Sequence, residues 1–410
     1  MVVSRAGFRR LAVAAKSLNG PIIPHLLQLT WCPQKAAVKY LDSFLHDGLQ
    51  VLSLLSTEDQ IPAESHLRNI GHLIQKCSRL RHLDVPHFTT HLQPIGHDAN
   101  YLHASPVRYL HIQAQASTYE LLNQLDHLET LVLRCETAAV PQGIVFPSLE
   151  SLSIRMKTLD MAVGFLQDEH FQSKAGLQCL EVVSMEGSWS TFCNNMRKWI
   201  AQPGLSQLRL DQHTLRQDPQ RIDILHNFDC NSLKAFIFRI SDKLHLSDGR
   251  LRDFVGRHSQ LITLDLRSTS GKGSSIAISD LQDVCISCPA LQTLGVIFTQ
   301  NATLKVDNHW SHGMLHHDHP LRVLRIGDTH FPGLPFTNLE YLCCLFPNVE
   351  EIDGRSPLYR NDADLLARKV MLEEYCKGMQ LYVSLRKQNK PFDWSRWNRP
   401  GQRFGSPISM

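Results

Sequence analysis

The sequence predicts an α/β solenoid. Strand-and-helix repeats would stack into a horseshoe, with a parallel sheet on its concave side, helices on its convex side and a helical cap at the C-terminal end. Three observations predict it. A six-residue motif, Leu-x-x-Leu-x-Leu with Val, Ile or Phe allowed at the apolar places, starts at Leu49, Leu80, Val107, Leu128, Leu149, Leu177, Leu205, Leu233, Leu261, Leu291, Leu321 and Val349. The intervals are 31, 27, 21, 21, 28, 28, 28, 28, 30, 30 and 28 residues, and a degenerate copy, "LLQLTW", starts at Leu26. The residues before several motifs repeat the apolar spacing of a helix face.

Each motif reads as a short strand whose second Leu, and the residue two places on, face the core. Parallel strands need a crossover between them, and a helix is the usual one. Counting back 10, 7, 6 and 3 places from a motif gives one helix face. Before Leu80 it holds Ile70, Leu73, Ile74 and Cys77; before Leu261, Leu251, Phe254, Val255 and His258. Before Leu291 it holds Leu281, Val284, Cys285 and Cys288; before Val349, Leu339, Leu342, Cys343 and Phe346. Leu121, Leu122 and Leu125 fill three of the four places before Leu128. Ser279 with Gln282 has the form of a capping box. Pro147, Pro203, Pro289 and Pro347 each stand two residues before a motif, where a helix must end. Before Leu177 and Leu205 the face is out of register. One unit cannot bury its apolar face alone, so units must stack. Self-similarity of this kind is the leucine-rich repeat signature.

Many such repeats place Asn eight residues after the first Leu. Here Thr57, Ser241, Thr269, Thr299 and Thr329 occupy that place, and a hydroxyl can make the same turn bonds more weakly. The expected boundaries are a basic N-terminal segment over 1–25, the solenoid over 26–360 and a cap and tail over 361–410. The cap helix would bury Leu366, Val370, Tyr375, Met379 and Tyr382, with Trp394 and Trp397 folded back on it.

Composition narrows the function. Hydrophobic residues make up 43% and charged residues 20%, with a net charge of +3. That balance gives no general attraction to nucleic acid or membrane, so neither is an expected partner. No apolar run reaches the length of a membrane-spanning helix. Eleven cysteines, an odd number with no disulfide-framework spacing, point to reduced thiols in a cytoplasmic or nuclear protein. The first twenty residues are basic, with no acid before Asp42. They read as a mitochondrial targeting peptide, a basic surface helix or the remnant of a further domain.

The outward strand residues fall two, four and six places after the first Leu. The last column contains Arg134, Arg155, Arg239, Arg267 and Arg355, and the column before it adds Arg209 and Arg325. Neighbouring like charges are unfavourable without a counter-ion, and Arg suits capture of carboxylate or phosphate. The column therefore predicts docking of an acidic or phosphorylated protein segment. The alternative is internal pairing with Glu181, Asp211 and Asp265. "CISCPALQTLGV" at 285–296 contains Cys-x-x-Cys, the spacing of half a zinc site, but both cysteines occupy helix-face places with no second pair nearby. His312 and His316 in "NHWSHGMLHHDHP" are four apart and read as outer surface, and "STSGKGSS" at 268–275 reads as a loop without the phosphate-loop pattern. No catalytic, metal or cofactor motif is present, so the expectation is a binding protein, not an enzyme.

The irregular repeats, the endings "CSRLRHLDV", "CPALQTLGV" and "FPNVEEID", and a terminal helix before a Trp-containing tail resemble the repeat region of fungal F-box proteins. The resemblance implies a substrate receptor of a cullin ubiquitin ligase, docked on a Skp adaptor through an F-box. The Leu-Pro-x-Glu stretch that opens an F-box does not occur here. A ligase-independent scaffold or inhibitor fits the same repeats, and a metal-binding protein or enzyme on the His and Cys clusters is the remaining alternative.

Overall fold

The computed structural model describes residues 23–31, 38–54, 70–89, 103–114, 122–135, 146–167, 176–197, 204–212, 221–222, 225–228, 230–240, 243–244, 246, 249–267, 275–276, 280–298, 319–326, 341–342, 345–353 and, near the C-terminus, 377–378, 380–382, 384–385 and 388. They belong to two compact units, Met1–Ser188 and Trp189–Met410. Both are leucine-rich repeat arrays of the predicted class.

The first unit is a parallel sheet of β1 (Gln28–Trp31), β2 (Val51–Leu54), β3 (His82–Thr89), β4 (Tyr109–Ala114), β5 (Thr130–Cys135), β6 (Ser151–Thr158) and β7 (Cys179–Glu186), in that spatial order. Its helices are α1 (Ile70–Lys76) and α2 (Leu159–Leu166). The second unit opens with α3 (Trp189–Asn195). Its strands are β8 (Gln207–Gln212), β9 (Arg221–Ile222), β10 (Ala235–Arg239), β11 (Lys243–Leu244), β12 (Thr263–Asp265), β13 (Ser275–Ile276), β14 (Thr293–Gly295), β15 (Ile297–Phe298), β16 (Val323–Arg325) and β17 (Glu351–Asp353). Strands β8, β10, β12, β14, β16 and β17 form one parallel sheet, while β9 pairs with β11 and β13 with β15. Helices α4 (Arg250–Arg257) and α5 (Leu281–Ser287) complete the unit.

The register follows the motif. In every described main-sheet pairing within each unit, the residue two places after one first Leu faces its equivalent in the next repeat. Examples are Gln28↔Val51, Tyr109↔Thr130 and Thr293↔Val323. The degenerate copy at Leu26 is therefore a true repeat. A recurring bond pattern enforces this: one carbonyl accepts from two successive N–H groups of the next repeat. Arg81 O takes Arg108 and Tyr109, and Lys234 O takes Ile262 and Thr263. One irregularity departs from expectation. Gln113 lies opposite Thr89, not Pro86, because proline has no N–H for the ladder and the strand shifts around it.

The inward positions make the core. Leu131 and Leu133 of β5, Phe236 and Phe238 of β10, and Leu324 and Ile326 at β16 have no more than 1% exposure. Burying each such side chain contributes about 1.5–3 kcal/mol. The anticipated helix face is buried in α1, α4 and α5, including Cys285 and Cys288 at 3% and 0% exposure. Both are free thiols. Burial pushes each pKa up to about 12, which disfavours the thiolate that a metal or redox role would use. Cys288 Sγ–H donates weakly to His258 O at 3.6 Å.

Where the face was out of register, the helices follow their strands directly. Leu159, Ala162, Val163 and Leu166 of α2 are buried, as are Trp189, Phe192, Cys193 and Met196 along and just past α3. Helix α5 starts after Asp280, which makes no side-chain cap bond; Ser279 of the expected capping box lies outside the described residues. So do the five hydroxyl residues from Thr57 to Thr329, and Leu121, Leu339, Cys343, His312, His316 and the loop at 268–274.

A polar ladder does exist, but it sits before the strands. Ser148 Oγ donates to Asp126 O at 2.9 Å, Ser232 Oγ to Leu205 O at 2.8 Å, and Asn348 Nδ2 to His319 O at 3.0 Å. Buried His319 joins it, with Nε2 against Cys288 O at 3.2 Å while Nδ1 accepts from Leu321 N–H at 3.2 Å. These side chains satisfy turn carbonyls, from the exposed Ser148 bond to the buried His319 one, and at the buried end the partner replaces water. Of the cap residues, only Tyr382 is described. It is buried, and Gln380 Nε2 nearby donates to Val349 O at 3.5 Å. No helix among the described residues is long and apolar enough to cross a membrane.

Candidate functional site

The strand residues that point away from the core form two contrasting polar surfaces, one in each unit.

In the first unit, Arg134 of β5 and Arg155 of β6 stand opposite each other in register, about 5 Å apart at the backbone. Arg155 is exposed and Arg134 half-buried. Neither has a carboxylate within ion-pair distance among the described residues. Burial, and then the charge of Arg155, lower the pKa of Arg134. Gln113 completes the row on β4 and is 7% exposed.

The acid whose field reaches Arg134 is Asp84, and it is already engaged. His111 Nδ1–H donates to Asp84 Oδ1 at 2.8 Å, and Ser53 Oγ–H to Oδ2 at 3.1 Å. The His111 bond holds the Asp84 carboxyl below its ordinary range, against the upward pull of burial. Beside it His82 and Tyr109, paired across β3 and β4, stack with centroids 3.9 Å apart and planes 6° from parallel. Burial lowers the pKa of His82 and raises that of Tyr109. Glu181, an anticipated partner for the arginines, instead accepts from Ser153 Oγ at 2.6 Å.

In the second unit the arginines converge on one acid. Asp265, at the end of β12, is fully buried. Arg267 Nε and Nη2 donate to its two oxygens, each at 2.9 Å. Arg239 of β10 donates from Nε and Nη2 to Oδ2 at 2.9 and 2.7 Å. Arg325 of β16 brings Nη1 to 3.6 Å of the same oxygen. Burial alone would raise the Asp265 pKa, but Arg267 and Arg239 hold it at about 2.

Arg325 comes from two strands away, because β14 lies between β12 and β16. It reaches across Gly295, the β14 residue that pairs with both Asp265 and Arg325. A Cβ on residue 295 would overlap the Asp265 carboxylate. Arg209 of β8 is separate, with Nη2 2.9 Å from Asp211 Oδ2. Arg355 lies outside the described residues.

The predicted arginine column is thus split. Arg209 pairs with Asp211, and Arg239, Arg267 and Arg325 gather on Asp265, while Arg134 and Arg155 have no such partner among the described residues. The cluster of Ser53, Asp84 and His111, the His82–Tyr109 stack and the role of Gly295 were not anticipated. All lie in the columns two and four places after the first Leu, so reading three columns together would have found them.

No protein-family model matches the chain, and no curated protein does. Among solved structures, the chain is similar to TLR13 in a complex with ssRNA13. Identity is 14%, the TM-score is 0.31, and the match covers 87% of this chain and 59% of that one.

Proposed function

We propose that the chain is a non-enzymatic protein-binding module whose outward strand face takes an acidic or phosphorylated segment of its partner, with Arg134 and Arg155 as the contact. One observation carries this reading: two guanidinium groups stand side by side in the first unit with no carboxylate partner among the described residues. Such a pair opposes folding, and a bound carboxylate or phosphate relieves it with charge-assisted bonds. The His82–Tyr109 stack, two to three strands from Arg155, adds aromatic surface of the kind enriched at interfaces. In the same reading, residues 26–360 are the repeat body and 361–410 its cap and tail.

The resemblance to F-box repeat proteins adds a finer version, a substrate receptor of a cullin ligase, which requires a Skp-docking segment. A ligase-independent scaffold uses the same face without one. The test is affinity capture from source cells with mass spectrometry, comparing the parent chain with Arg134→Glu/Arg155→Glu. The expected result is a set of proteins captured by the parent and lost in the variant. Skp and cullin in the parent sample support the ligase version, and their absence beside a retained partner supports the scaffold. Equal capture by both proteins would overturn the role of the arginine pair.

A further inference from the structure

We propose that the second unit carries a preformed receptor for a phosphate monoester, made of Arg239, Arg267 and Arg325 fanned around the buried carboxylate of Asp265. The site uses other residues, in another unit, than the Arg134–Arg155 pair, so the two readings fail separately.

The arrangement exceeds what neutralising Asp265 needs. One carboxylate faces three guanidinium groups, leaving two positive charges. Arg209 is matched by Asp211, and Asp353, opposite Arg325 on β17, offsets part of the surplus. A buried acid with one bidentate arginine is already paired; the second and third guanidiniums add positive charge that Asp353 offsets only in part and that an outer anion would relieve.

The bonding geometry points the same way. Arg239 and Arg267 each spend Nε and Nη2 on Asp265. An arginine carries five N–H donors, so both keep donors on the opposite edge. Arg325 stands at 3.6 Å, beyond a direct hydrogen bond, and its donors remain uncommitted to Asp265. The carboxylate is fully covered, whereas the three arginine side chains are 26%, 13% and 29% exposed. Asp265 is thus the floor of the cluster and the guanidiniums its accessible rim. It acts as a positioning residue, fixing side chains that would otherwise lose rotamer freedom on binding.

Three forks, from β10, from just past β12 and from β16, match a group with three terminal oxygens. A phosphate monoester has three and a carboxylate two, so phosphate is the better fit. Gly295 is part of the design: a Cβ there would overlap the Asp265 carboxylate on which the three arginines converge.

The test is calorimetric titration of the full-length chain carrying Arg134→Glu/Arg155→Glu, which removes the other cationic pair. The probes are inorganic phosphate, N-acetyl-phosphoserine amide and acetate. We expect saturable one-to-one phosphate binding, about tenfold tighter than acetate. It should strengthen from about pH 5 to about pH 7, as the monoester gains its second charge near pH 6. Arg325→Gln should weaken it by about tenfold. Should that variant misfold, Arg325→Lys keeps the charge, loses the fork and should still bind more weakly. Tighter binding of the phosphoserine derivative than of inorganic phosphate assigns the group to a phosphorylated side chain. Equal binding assigns it to a free phosphate compound, and either outcome supports the site. No saturable phosphate binding, or binding unchanged by both Arg325 variants, would overturn it and leave the cluster a structural clamp.

Discussion

The two units place arginines side by side on neighbouring strands in opposite ways. In the first, Arg134 and Arg155 face each other with no counter-ion among the described residues. In the second, Arg239, Arg267 and Arg325 gather on a single buried carboxylate. Identical repeat geometry therefore yields an adaptable cationic patch in one place and a fixed one in the other. What differs is one residue in the neighbouring column: Asp265 in the second unit, where the first unit has Val132 and Ser153. An acid inside the sheet surface converts repulsion into order. Without it the pair stays dependent on whatever binds.

The largest expected effect follows from removing that acid. Asp265→Asn leaves three partly covered guanidiniums without their shared charge, and breaking a buried ion pair in this way costs about 3 kcal/mol or more. Urea denaturation should show the loss in the second unit. The parent protein should show a related acid limb. The folded-state pKa of Asp265 is below its unfolded value, falling from 3.8 to about 2. Its contribution is therefore complete above about pH 4 and disappears as pH falls through about 2. A downward shift of this size corresponds to a few kcal/mol. Asp265→Asn should flatten this limb, and an unchanged acid profile would show that the carboxylate is not the stabilising charge.

Gly295→Ala tests how closely the Asp265 carboxylate must be seated against its arginines. The new Cβ collides with the Asp265 carboxylate, which must move away from Arg239 and Arg267. Overpacking of this kind costs about 1–3 kcal/mol. Thermal unfolding should register it, while the equivalent Ser153→Ala in the first unit should lose only its bond to Glu181, about 1 kcal/mol.

Much of this fold was legible in the sequence. The motif starts set the strand register, down to the degenerate copy at Leu26, because a parallel ladder repeats one offset from unit to unit. Helices α1, α4 and α5 were legible because their apolar face runs straight into the next motif. Helices α2 and α3 were not: they follow their strands, so Trp189, Phe192, Cys193 and Met196 keep helical spacing but at the wrong distance from Leu205. The site was half legible. The arginine column announced itself, and Asp265 stood among its candidate partners. Which arginines it captured depended on side-chain reach across three strands, and on a glycine that leaves no mark in a hydrophobic pattern.

The smallest stability effect gives the sharpest comparison. Arg155→Glu turns the repulsive pair of the first unit into an opposite-charge pair directly across β5 and β6. Cross-strand pairs of that kind contribute about 0.2–1 kcal/mol, so the variant should be slightly more stable than the parent. Relief of the like charge should also return Arg134 toward its ordinary pKa, since Arg155 is one of the two influences lowering it. Binding should move the other way, because the pair then neutralises itself and offers an anionic segment nothing. A gain in melting temperature together with loss of partner capture is the signature of a charge kept for a ligand. If stability falls instead, Arg155 has an internal role, and the first unit resembles the second more closely than its register suggests.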